Sequence, residues 1–158
     1  MLFRSWYKNN VDVEVRQQSG YNSFVANTPL TEFQIDLFNF RSKIEGDEYT
    51  MGIACIDIFT KTATIIAIPN KQPETYLKAL QQIFKLIGKP KVLMSDNEGS
   101  LNSKLVSAFL EKENIQYIIN RNRCPFVERF IRTAKTMMRR RLMRRNEHWY
   151  NQIGRAHV

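Results

Sequence analysis

The sequence predicts an α/β domain on a mixed five-stranded sheet, and three observations carry that reading. Three consecutive segments read as strands, the first with period two, and no helix pattern lies between them; strand and helix patterns then alternate; and 158 residues suffice for one buried core but not for two full domains. Residues 1 to 31 read as an N-terminal arm or linker, broken by "QQSG" and "ANTPL". From Glu32, "EFQIDLFNF" sets Phe33, Ile35 and Leu37 at period two, with Phe38 and Phe40 making a dense apolar end. "KIEGDEY" is the turn, and "YTMGIACIDIF" and "TATIIAIP" are two more strands joined as an antiparallel hairpin by a short "TK" connection.

Pro73 opens a helix, "PETYLKALQQIFKLIG", with Tyr76, Leu77, Leu80, Ile83, Phe84 and Ile87 at helical spacing and Gly88 as its stop. "KPKVLMSD" is a short strand ending at Asp96. A second helix is expected from about Asn102 to Lys112, with Leu105, Val106, Phe109 and Leu110 on one side. "IQYII" is a fifth strand, "NRNRCP" a loop, and residues 126 to 146 a third helix. The order β-β-β-α-β-α-β-α describes a five-stranded mixed sheet flanked by helices, as in the ribonuclease H fold.

The net charge of +9 is unevenly placed. Residues 120 to 158 hold eleven Lys and Arg against two acids, so the rest of the chain is neutral overall. Such polarity suits a polyanion docked along one element, since every neutralised phosphate releases counterions. A plain solvated basic helix is the competing explanation. No apolar run approaches the ~18 residues of a membrane helix, and nothing in "MLFRSWYKNN" suggests a secretion signal. Cys55 and Cys124 lie far from His148 and His157, which offers no zinc-ligand spacing; idle reduced thiols and an intracellular setting fit.

Three acids stand out. Asp36 lies inside an apolar strand, where a carboxylate is costly unless compensated. Asp96 ends the fourth strand and Glu128 begins the last helix. If strands one and four are neighbours and the last helix crosses beside them, the three carboxylates converge. They would repel one another unless a divalent cation lay between them. All-oxygen ligands suit magnesium or manganese, and two such ions about 3.5 to 4 Å apart assist an in-line phosphoryl displacement. Two of the acids also have a plainer role, Asp96 as a turn residue and Glu128 as a first-turn acid; Asp36, inside an apolar strand, is the hardest to explain that way. Asp57 in "CIDIFTK" is a rival that spacing alone does not separate from Asp36.

"FQIDLF", "IDIFTK", "SDNEGS" and "VERFIRT" resemble the motifs of DDE-type, retroviral-like integrase catalytic cores. With "NSFVANTPLTEFQIDL", the chain is most similar to integrases of Maverick/Polinton elements, virophages and large DNA viruses, from about Tyr21 to about Arg145. The resemblance implies that Asp36, Asp96 and Glu128 are the catalytic, metal-binding triad for two Mg2+ or Mn2+ ions, and that Asp57 is not a ligand. It implies end nicking by water, then attack of the 3′-OH on target DNA, with no covalent enzyme intermediate. DNA, both element ends and target, is the expected partner, within a homo-oligomer in the host nucleus or a viral factory. On a 3.6-residue period Glu128, Arg132, Lys135 and Arg139 share one face, and Val127, Ile131, Ala134, Met138 and Leu142 form the core stripe. Arg132, Lys135 and Arg139, with Arg123 in the preceding loop, are therefore the candidate DNA contacts.

Two departures from the family pattern bear on the loops. Only 31 residues separate Asp96 from Glu128, and Gly99 stands three after Asp96 where many relatives have glycine at two. Two other functions fit the same residues: a catalytically inactive ribonuclease H-like DNA-binding remnant, and a ribonuclease H-type nuclease acting on RNA–DNA hybrids. The expected core is residues 32 to 152. The last six residues, "IGRAHV", can be encoded by ATC GGA AGA GCA CAC GTC, similar to a sequencing adapter, so residues 153 to 158 are expected to be a non-native tail.

Overall fold

The computed structural model describes residues 26–40, 44, 46–96, 101, 103–120, 124–143 and 147–155. Strand β1 is Glu32–Asn39, β2 Met51–Asp57, β3 Ala63–Ile68, β4 Val92–Ser95 and β5 Gln116–Ile119. Helix α1 is Pro73–Ile87, α2 Lys104–Lys112 and α3 Pro125–Leu142, and a 3-10 helix covers Trp149–Arg155. The sheet order is β3-β2-β1-β4-β5. The pairs β1–β2 and β2–β3 are antiparallel, and β1–β4 and β4–β5 are parallel. The five-stranded mixed sheet and its element order match the expectation. Among the described residues no helix is long and apolar enough to cross a membrane.

Strand alternation divides β1 between two cores. Phe33, Ile35 and Leu37 face a layer with Ile53, Cys55, Tyr76, Leu80, Ile83, Leu93, Val106 and Leu110, which α1 and α2 cover. Phe38 and Phe40 face the other way, against Ala54, Ile56, Ile65, Val127, Ile131, Met138 and Trp149. There α3 crosses β1 and β2, burying Val127, Ile131 and Met138 of its predicted stripe. Trp149 is fully buried against Phe38 and Phe40, and its indole N–H donates to the carbonyl of Tyr49. Gly52 makes this possible: a Cβ there would stand 2.7 Å from the Phe38 ring and 3.0 Å from that of Trp149.

The element ends correct several expectations. The β2–β3 hairpin is wider than a two-residue "TK" turn, because β2 stops at Asp57 and β3 begins at Ala63. The Asp57 carboxylate holds the loop shut, accepting from the amide of Phe59 at 3.0 Å and the hydroxyl of Thr60 at 2.7 Å, while Lys61 takes a positive φ. Helix α2 starts at Lys104, since the Ser103 hydroxyl caps it by accepting from the Val106 amide. Leu105 is exposed, while Val106 and Leu110 are buried: the stripe is narrower than expected and Leu105 falls outside it. Gly88 does end α1, with φ +89° and its amide bonded to the Phe84 carbonyl. Helix α3 begins one residue early, with Pro125 in its first turn.

Candidate functional site

The parallel pairing of β1 with β4 builds the site. Ile35 lies opposite Ser95, so Asp36, in the middle of β1, and Asp96, just past the end of β4, follow side by side on neighbouring strands. Gln34, Asp36 and Phe38 share the face toward α3, and by the same alternation Asp96 follows Met94 on that face. The Ser95 hydroxyl points to the other layer and meets that of Tyr117, while the Asn120 amide donates to the Ser95 carbonyl at 2.7 Å. Asp96 is thus carried on a strand end fixed from both sides.

Helix α3 brings the third acid. Glu128 lies in its first turn, and Oε1 of Glu128 accepts from the Cys124 amide at 3.3 Å. The thiol of Cys124, the N-cap residue of α3, is buried. Burial first, then the negative charges of Asp96, Asp36 and Glu128, push its pKa up to about 12. All three acids therefore lie within electrostatic reach of one sulfur, which was expected to be idle.

The residues suit a hard divalent cation in donor chemistry: all three are carboxylates, and Oδ1 of Asp96 is buried without a hydrogen-bond partner among the described residues. The expected convergence is not complete, however. Among the described residues no three histidine, cysteine or acidic side chains are close enough to hold one ion. The physical reason lies partly in Glu128, whose oxygen turns back to satisfy the amide of its own helix start.

Asp57 is separated from this group. It is 1% exposed and accepts from Phe59, Thr60 and, at 3.4 Å, the Leu30 amide, so its charge is spent on the hairpin. Sequence spacing does not reveal these contacts of Asp57.

Along α3, Arg132 and Arg139 are exposed and Lys135 is half-buried. The Lys135 ammonium lies 5.2 Å from the centroid of the Phe38 ring. Burial and the neighbouring Arg139 lower its pKa, opposed by the attraction of Asp36. Lys135 therefore stands between the acids and the basic face. Arg123 lies outside the described residues.

Sequence reasoning passed over Gln34. It is fully buried, and its Oε1 accepts from the amides of Phe126 at 3.0 Å and Val127 at 3.3 Å. The available signal was a polar residue in an apolar strand, on the same face as Asp36 and two positions before it. Lys61 was also missed; its ammonium lies 3.9 Å from the centroid of the Phe126 ring.

No protein-family model matches the chain. It is 34% identical over 110 residues to the retrovirus-related Pol polyprotein from transposon 297 of Drosophila melanogaster, covering 68% of this chain and 10% of that one. It is 30% identical over 101 residues to a transposon-derived protein of Caenorhabditis elegans, covering 62% and 35% respectively. The match thus spans about a tenth and about a third of these curated relatives. Among solved structures, the HTLV-2 integrase catalytic core domain in complex with magnesium matches with a TM-score of 0.73 at 20% identity, covering 84% of this chain and 85% of that one. A simian T-cell lymphotropic virus intasome in complex with a PP2A regulatory subunit matches with a TM-score of 0.69 at 16% identity, covering 78% and 45%. The fold of this chain is that of a retroviral integrase catalytic core, a ribonuclease H-like fold.

Proposed function

We propose that this chain is the catalytic core of a divalent-metal-dependent DNA integrase or transposase, of the Maverick/Polinton and large-virus kind, working on element ends and target DNA as a homo-oligomer. The observation that carries the proposal is the placement of Asp36 within β1 and Asp96 just past β4, following the paired residues Ile35 and Ser95, with Glu128 in the first turn of the helix that crosses β1 and β2. These three would hold Mg2+ or Mn2+, two ions in the full reading. When bound, such ions supply Lewis acidity and charge neutralisation to phosphoryl oxygens. Asp36 would offer its oxygens from within β1 and Asp96 from the end of β4, and Glu128 would turn from the Cys124 amide toward them. Arg132, Lys135 and Arg139 would bind phosphates along the same helix face, Lys135 nearest the acids. Water or a DNA 3′-OH would then be the nucleophile in an in-line displacement.

A second reading, a DNA-binding remnant without catalysis, is favoured by one feature: the acids are not within joint ligating distance of one ion. Nicking of supercoiled plasmid in Mn2+ separates the two. Asp36→Asn should reduce nicking by roughly a thousandfold or more, since a metal site supplies several kcal/mol of transition-state stabilisation. Asp57→Asn should leave the rate per folded molecule unchanged. Loss of nicking in both variants, or in neither, would remove the metal assignment; wild-type protein that binds plasmid without nicking it would leave the remnant.

A further inference from the structure

The start of an α-helix leaves four backbone N–H groups without helical partners. At α3 the N-cap residue, Cys124, provides no side-chain cap, and Pro125 has no N–H to satisfy. The next two amides, of Phe126 and Val127, both donate to Oε1 of Gln34. Since both partners are donors, only the carboxamide oxygen can receive them, so chemistry fixes the orientation of this amide. The Glu128 amide closes the turn onto the Cys124 carbonyl at 3.0 Å.

This arrangement has a cost. Nε2 of Gln34 is buried with no hydrogen-bond partner among the described residues. A leucine or methionine in a fully buried site would carry no such unsatisfied donor. The benefit that offsets it is a staple between two particular points: β1 two residues before Asp36 on the same face, and α3 one and two residues before Glu128. From the hairpin, Lys61 over the Phe126 ring supports the same turn.

We propose that Gln34 is the positioning residue for Glu128, holding the first turn of α3 on β1 so that the third carboxylate can join Asp36 and Asp96. The role rests on the metal-site reading above. Filling the space between sheet and helix would need only the volume of Gln34, whereas aligning the helix start needs its acceptor oxygen.

The test uses the whole chain, Mn2+ as the probe, and the unfolding midpoint as a function of Mn2+ concentration. Gln34→Met keeps the side-chain length and removes the acceptor. It should raise the Mn2+ concentration for half-maximal stabilisation about tenfold, the low end for losing support behind a metal ligand. Glu128→Gln should do likewise, and the double variant should be no worse than either alone, because both changes remove one ligand. Amide exchange in the unaltered protein gives a check that no variant's folding can obscure: Phe126 and Val127 should be protected. An unchanged Mn2+ midpoint in Gln34→Met, additive losses in the double variant, or rapid exchange of both amides would overturn the positioning role while Asp36→Asn still abolished the Mn2+ shift. No Mn2+ shift in the unaltered protein would overturn the metal reading and this role together.

Discussion

The two faces of the sheet are built from the same strands and do different work. Toward α1 and α2, β1 presents Phe33, Ile35 and Leu37 to an aliphatic layer centred on Ile53, Leu80, Ile83 and Leu93. Toward α3 it presents Gln34, Asp36 and Phe38 to a layer of aromatic rings, a buried thiol and a basic helix. The first face resembles an ordinary core, stabilised by area removed from water. The second holds carboxylates, an amide nitrogen without a hydrogen-bond partner among the described residues and a partly desolvated lysine, each of which costs stability by itself. The comparison teaches that both sides of the sheet bury apolar side chains, while the side facing α3 also carries polar groups, Gln34 and Asp36, within β1.

The comparison breaks most sharply on the dry side. Leu80 is fully buried, so Leu80→Ala should destabilise the protein by about 2 to 5 kcal/mol, and denaturant unfolding would measure it. Any effect on DNA or Mn2+ binding per folded molecule should be small; a specific loss of binding would mean that the two faces are coupled. On the polar side, Lys135→Ala should change stability little and reduce the slope of log binding constant against log salt by about 1, as for one lost phosphate contact. An unchanged slope would assign Lys135 to packing on Phe38.

The smallest effect is alkaline. Burial and three carboxylates raise the Cys124 pKa from 9.0 to about 12, and burial raises that of Cys55 as well. A folded state that retains a thiol proton which the unfolded chain releases must lose stability as pH rises above 9.0, and continues to lose it toward the folded value. Below pH 9.0 neither thiol should contribute pH dependence. The native protein should thus leave both thiols unreactive to a disulfide reagent at pH 8, and unfolding should release two. Rapid reaction of Cys124 in the native state would mean that its thiol is not buried as described.

Much of the architecture was legible because local pattern and burial agree. Period-two alternation in "EFQIDLFNF" reflects which side chains meet which layer, and Gly88 ends α1 because its positive φ favours glycine. The Val127, Ile131 and Met138 stripe was legible for the same reason: a helix on a sheet must bury one face. Ends were harder. The hairpin is wide because Asp57 bonds its own loop, and α2 begins where the Ser103 hydroxyl reaches the Val106 amide, contacts that no periodicity contains.

The candidate site divides in the same way. Sequence alone determined that Asp36 interrupts an apolar strand, that Asp96 and Glu128 stand at element ends, and that the excess positive charge follows Glu128 along one helix. Tertiary structure decided that Asp57 belongs to the hairpin, that the Cys124 thiol is buried at the start of α3, and that Gln34 anchors that start. The reason is physical: alternation and propensity are properties of neighbours along the chain, whereas a carboxylate's role depends on which donors and charges reach it through space, 92 residues apart for Gln34 and Phe126.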